Sequence, residues 1–240
     1  MGMKKQMKKF LAMMLCAITV CTFVLPQNQF LSTSITANAA SAKTQNRNAL
    51  KAYKKLLAKK TFNWTTNGSA DSANQTANYS FFCVDLNKDK VKELVLINDE
   101  SYYAAGYLRV YTFKNNKVKL VYTSGNDVAF YPNKGLIVEQ GQHTGYYWEN
   151  YVKFEKNGKV KTVANRGGTD NKEYVPSGNK VQQINKSGAY PIYYYLYEIN
   201  GSKTSYSKYK SKVKSLKKGA KACKQKSHKN TASNRSKYIK

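Results

Sequence analysis

Residues 81–99, "FFCVDLNKDKVKELVLIND", set Asp85, Asn87 and Asp89 at alternate positions and Glu93 four further on, between two apolar runs. A hard cation such as calcium takes roughly six to eight oxygen ligands, so carboxylates and amides must converge on it from a short turn. With Asp85 first, Asn87 is third, Asp89 fifth, the Val91 carbonyl seventh and Glu93 ninth, which supplies such oxygens. An EF-hand also needs a bidentate acid at its twelfth position, where this chain has Leu96, so the loop is not an EF-hand. Lys88, Lys90 and Lys92 alternate with the acids and make the loop formally neutral. Two readings stand: a weak structural calcium site, and a metal-free hairpin stabilised by its lysines.

The second cluster is "VEQGQHTGYYWENY", residues 138–151. His143 with Glu139 or Glu149 has the residue types of a general acid–base pair, which makes hydrolysis one alternative. Tyr146, Tyr147 and Trp148 offer rings for stacking on sugar faces, which makes glycan binding another. The plain reading is an edge strand and loop whose aromatic bodies enter a sheet core while their polar tips reach water. "YYYLY" at 193–197 faces the same choice. No Gly-rich phosphate loop and no Ser-His-Asp constellation occurs, and "NRGGTD" reads as a loop. The expected protein is a non-enzymatic binding module.

Charge adds a third candidate. The chain has 41 Lys and Arg against 13 Asp and Glu, and no acid follows Glu198. Residues 218–240 read as a basic disordered tail, kept open by self-repulsion. With Lys217 at their border, Lys218, Lys221, Lys224, Lys226, Lys229, Arg235, Lys237 and Lys240 would bind a polyanion. An anionic envelope polymer or lipid surface is the expected partner, ahead of nucleic acid.

The compartment follows from the first residues. "MGMKKQMKKF" is basic, "LAMMLCAITVCTFVL" is apolar, and "TANAASA" offers small residues for cleavage, so 1–39 reads as a signal peptide. A lipoprotein signal at Cys21 is disfavoured by Val20, and the apolar run is shorter than the roughly 20 residues of a spanning helix. The mature chain is expected to be secreted or envelope-associated, with no transmembrane segment. Cys83 and Cys223 remain after cleavage; they have no zinc-type neighbours, and their pairing is left open.

The elements that must position these groups read as a linker at 40–48 and a β-rich domain at 49–217. "ALKAYKKLLAKK" places Leu50, Tyr53, Leu56 and Leu57 on one stripe of a basic helix. Hairpins are expected around the acidic loop, around "KNN", at Asn157-Gly158 and at Asn200-Gly201. Phe113, Phe154 and Tyr197 precede three of those turns at a spacing near forty, as propeller blades would. Too few units exist to close a ring, so the fold class is mainly β: antiparallel hairpins in an open sheet or partial-propeller-like arrangement, with a short helix at each end. The second helix carries Tyr206, Tyr209, Val213 and Leu216 on one face, for packing on the sheet or, alternatively, for a membrane surface.

"DLNKDKVKEL" resembles the "DlnkDGikEL" element of exported clostridial proteins and the D-x-D-x-D-G-x-x-[DE] calcium hairpins of FG-GAP repeats. "NGSKTSYSKY" is similar to the phrase that opens a terminal helix in the same clostridial family. The resemblance covers roughly residues 49–217. It implies an extracellular β-rich module and carries no established reaction. Lys90 stands where the motif has Gly, a position that implies a sharp turn with positive φ.

Overall fold

The computed structural model describes residues 27–62, 74–75, 78–98, 108–125, 127–184 and 191–240, with the backbone alone for 27–40, 61–62 and 74–75. Of the expected signal peptide, residues 1–26 lie outside the described residues and 27–39 are helical backbone. The chain divides into two units, Met1–Ala40 and Ser41–Lys240. The packing below belongs to the second.

Helix α1 spans Gln27–Leu57. It includes residues 40–48, which were expected as a linker; that stretch contains neither Gly nor Pro to stop a helix. Its apolar stripe behaves as the spacing requires, with Ala49, Leu50, Tyr53 and Leu57 buried and lysines between them. Strands β1 (Thr61–Phe62) and β2 (Asn74–Gln75) pair with each other. Then follow β3 (Tyr79–Val84), β4 (Glu93–Asn98), β5 (Leu108–Lys114), β6 (Lys117–Ser124), β7 (Asp127–Tyr131), β8 (Leu136–His143), β9 (Tyr146–Phe154) and β10 (Val160–Thr169). Next come β11 (Gln182–Ile184), β12 (Ile192–Ile199), β13 (Ser202–Lys203), α2 (Tyr206–Lys217), β14 (His228–Lys229) and α3 (Ala232–Tyr238).

Every strand pairing among the described residues is antiparallel. One sheet has the order β14-β3-β4-β5-β6; the other runs β11-β12-β10-β9-β8-β7, with β13 beside β12. The sheets stack through Phe82, Val95, Leu108 and Val110 of one against Phe130, Ile137, Val152 and Phe154 of the other. Helix α1 covers the outer face of the first sheet through Tyr79, Phe81, Leu94 and Leu96. Helix α2 covers the second through Leu136, Tyr151, Tyr194 and Tyr197. The result is a four-layer arrangement, helix on sheet on sheet on helix, which covers the central strands on both faces and leaves the edge strand β6 largely exposed.

Mainly β architecture with open antiparallel sheets is therefore the observed class, and all four expected hairpins form. Asn115 and Asn116 both take positive φ (53° and 57°), as do Asn200 and Gly201 (51° and 79°), the backbone that tight two-residue hairpins need. The forty-residue spacing does not create blades. Phe113 packs on the α1 core, Phe154 lies between the sheets and Tyr197 packs under α2, so the three equivalent-looking rings serve three different layers.

The largest correction concerns residues 218–240, expected to be disordered. Strand β14 pairs with β3, His228 opposite Phe81 and Lys229 opposite Ser80. Thr231 caps α3 by accepting the Asn234 N–H, and Ile239 is buried among the α1 core residues at 1% exposure. Asn230, also buried, donates from Nδ2 to the Leu57 carbonyl at 2.9 Å. Self-repulsion does not win because the lysines point outward while a few uncharged groups make the attachment. Cys223 joins the inter-sheet core and Cys83 the α1 core, so the two thiols lie on opposite faces of one sheet and are free.

Candidate functional site

The acidic hairpin closes on itself. Asp85 accepts the Lys88 N–H (2.7 Å) on Oδ1 and the Lys90 N–H (3.0 Å) on Oδ2. Asp89 accepts the Val91 N–H on Oδ1 and the Asn87 side-chain amide on Oδ2, at 2.7 and 3.0 Å. Glu93 is fully buried and accepts from Leu86 N–H (2.8 Å) and Thr112 Oγ1 (3.1 Å). All six carboxylate oxygens thus have an internal donor, and calcium in this loop would compete with those donors. The Val91 carbonyl is the remaining member of the expected ligand set. Among the described residues no group of three His, Cys, Asp or Glu converges as metal ligands.

The loop lysines contribute through their backbone, not through ion pairs. Lys88 (φ 64°) and Lys90 (φ 71°) occupy the left-handed region, the turn geometry that the Lys90 position implied. An L-residue there costs roughly 1–2 kcal/mol. Burial, opposed by hydrogen bonds and reinforced by Asp89 and Asp85, pushes the Glu93 carboxyl up to about 8. Burial raises Asp89 as well.

The aromatic segment is not an edge strand and loop. Strands β8 and β9 are interior, joined by a turn at Thr144-Gly145, because β7 and β10 flank them. Register then separates the residues considered for hydrolysis. Glu139 lies opposite Asn150 and Gln140 opposite Glu149, so Glu139 and Glu149 face opposite sides of the sheet. Glu139 accepts from Tyr122 and Ser124 of the other sheet, at 3.0 and 2.8 Å. His143 is exposed and, among the described residues, bonds only its neighbour Thr144, at 3.0 Å. The three do not share a cleft.

Glu149 instead anchors α2. It pairs with Arg166 at 2.9 Å and accepts from Gln140 (3.1 Å), Tyr151 (3.0 Å) and Tyr209 (3.3 Å). The Arg166 guanidinium also lies over the Tyr194 ring, 4.1 Å from its centre. Burial and then the Glu149 charge hold the Tyr151 and Tyr209 phenols far above their ordinary range, so both remain donors. A buried charge surrounded in this way is a structural centre.

Beside it lies a cleft of about 490 Å³ lined by Asp127, Gln140, Gln142, Tyr147, Trp148 and Tyr194, with Gly141 and Ile192. Trp148 has Gly141 as its neighbour on one strand and Gly167 on the other, so no side chain crowds it from either side. Tyr147 and Trp148 both border the cleft, although as consecutive strand residues their side chains leave opposite faces of the sheet, while Tyr146 is exposed outside its lining. Asp127 was not singled out from the sequence, and Gln140 and Tyr194 entered only within the runs 138–151 and 193–197; the three come from different strands, and pairing register brings them together.

Comparison with family models, curated proteins and solved structures finds no match for this chain. Function must be read from the chain's own surface.

The basic residues of 217–240 are held in place. Lys217, Lys218, Lys221, Lys224, Lys226, Lys229, Lys237 and Lys240 are exposed. Arg235 departs from expectation, since its Nη1 donates to Asn230 Oδ1 at 2.8 Å and supports the buried Asn230. Lys240 lines a groove of about 420 Å³ with Lys43, Arg47, Lys51 and Lys54 of α1, floored by Leu50 and Ile239. None of these five cations forms an ion pair with a described carboxylate. Meanwhile Glu93, Glu139 and Glu149 are buried, which leaves the accessible surface richer in cations relative to acids than composition alone implies.

Proposed function

We propose that the protein is an exported binding module, acting without catalysis, that associates with an anionic polymer of the cell envelope. The observation that supports this most is the groove shared by α1 and Ile239–Lys240, where five cations converge over an apolar floor without acidic partners. Fixed cations need less ordering on binding than a mobile tail, so the same charge gives tighter and more selective association. Exposed charges are screened beyond about 10 Å at 0.1 M salt, so binding should fall steeply as salt rises. The probe is poly(glycerol phosphate), with salt varied at constant pH. A K43Q/R47Q/K51Q/K54Q/K240Q variant should lose most binding at low salt while melting at the wild-type temperature. Binding that is indifferent to salt, or unchanged in this variant, defeats the proposal.

A second reading is favoured by the Trp148 cleft, whose two tyrosines, tryptophan, amides and Asp127 suit a neutral glycan: rings for sugar faces and polar tips for hydroxyls. It calls for saturable sugar binding that survives high salt and disappears in Trp148→Ala. Calcium in the acidic hairpin would then be structural, supporting the loop without touching either ligand.

A further inference from the structure

The sheet end beside the acidic hairpin has a second concentration of cations, distinct from the α1 groove. Lys88, Lys134, Lys153, Lys156 and Lys161 line a cleft of about 410 Å³ whose floor includes Gly135, Phe154 and Val163. These lysines come from five places: the hairpin tip, the turn before β8, β9, the β9–β10 turn and β10. We propose that this cleft binds a compact oligophosphate, an anion carrying two or more closely spaced phosphate groups.

Three observations carry the assignment. The cations are assembled by construction: Phe154 N–H donates to the Gly135 carbonyl at 2.9 Å, and a Cβ on Gly135 would stand 2.7 Å from the Phe154 carbonyl oxygen. Only glycine tolerates that approach, and it brings Lys134 against Lys153. Lys153, directly opposite Lys161 across the strands, turns its ammonium to the Lys134 carbonyl, which uses one of its three donors and leaves two.

The cations also outnumber their acidic neighbours, although Lys156 lies near enough to Asp89 to favour its charged form. None of the five forms an ion pair with a described carboxylate. Glu155, the one acid in the lining, accepts instead from the Asn157 side chain at 3.0 Å. Partial burial, with Lys134, Lys212 and Lys88 adding repulsion, holds the Lys153 ammonium below the ordinary lysine range. Like charges crowded into a half-buried cleft destabilise the fold unless an anion joins them.

The third observation is strain. Lys88 lines the cleft from a left-handed backbone (φ 64°) that a β-carbon disfavours. Strained residues concentrate where a side chain must be presented to a ligand. Lysines act on phosphate as point charges that adjust to its geometry, and five of them match an anion bearing several charges better than a single phosphate.

The test is titration calorimetry of the mature protein with tripolyphosphate, orthophosphate and sulfate at matched ionic strength. Tripolyphosphate should bind one to one, at least tenfold more tightly than orthophosphate. The exposed triple variant K88Q/K156Q/K161Q should lose at least tenfold in that affinity, whereas the α1 groove variant K43Q/K51Q/K54Q should keep it. Because Lys153 and Lys134 are half-buried, neither is altered, and thermal melting checks that the triple variant is folded. Equal binding of all three anions, retention in the triple variant, or binding by poly(glycerol phosphate) alone overturns the proposal. Loss of polymer binding in the groove variant with tripolyphosphate affinity intact would separate this site from the envelope association proposed above.

Discussion

The ordered state of residues 218–240 rests on Ile239, which makes Ile239→Ala the most informative single substitution. Its side chain is 1% exposed, in the cluster that contains Leu50, Tyr53 and Phe81. Truncation to alanine removes about three carbons, each worth about 0.8 kcal/mol when buried. A partly collapsed cavity adds to this, giving a loss of about 3 kcal/mol, within the range for large-to-small core changes. For a chain of this size each kcal/mol moves the melting temperature by about 2–4 °C, so the variant should melt roughly 10 °C lower. Urea unfolding measures the free energy, and Lys237→Gln, exposed two residues away, serves as control and should stay within about 0.5 kcal/mol. If Ile239→Ala also stays within that margin, the segment is not docked and the packing argument is wrong.

Further outcomes follow from the buried polar groups. Arg166→Ala leaves the Glu149 charge buried without its cation and should cost about 3 kcal/mol in urea unfolding, with E149Q/R166M recovering much of it. Glu93 binds its proton more tightly folded than unfolded, so its contribution is fully present below the usual carboxylate range and is lost as pH rises through about 8. Thermal scans from pH 5 to pH 9, in chelator, should show that loss in the wild type and a flatter profile in Glu93→Gln. If calcium occupies the loop, adding it should raise the wild-type melting temperature most at the alkaline end of that window. Trp148→Ala should abolish any saturable glycan binding without altering stability by more than about 1 kcal/mol, read by calorimetry and melting together.

What the sequence made legible was local. Asn115-Asn116 and Asn200-Gly201 declare their hairpins because two successive residues must take positive φ, and the stripe Leu50, Tyr53, Leu57 declares a buried helix face. The acidic loop was legible as a hairpin, but its chemistry was not: the donors to Asp85 and Asp89 are backbone groups that no residue type advertises. Residues separated widely in sequence were least legible. Ile239 is one apolar residue in a run of lysines, and its meaning depends on a pocket built by α1 and β3. The Trp148 cleft and the Lys153 cleft are likewise products of register, which places Gln140 against Glu149 and Lys153 against Lys161.

The pairing of β14 with β3 has a consequence in time. His228 bonds beside Phe81, 147 positions earlier, so closing that contact waits on a long stretch of intervening chain. During synthesis one edge of the first sheet, with Phe81 and its neighbours, is uncovered while the rest is made. An open strand edge of that kind invites pairing with another molecule. A chain interrupted before residue 228 therefore differs from the whole one less in charge than in stickiness, and aggregation of such fragments would register whether the final strand had arrived.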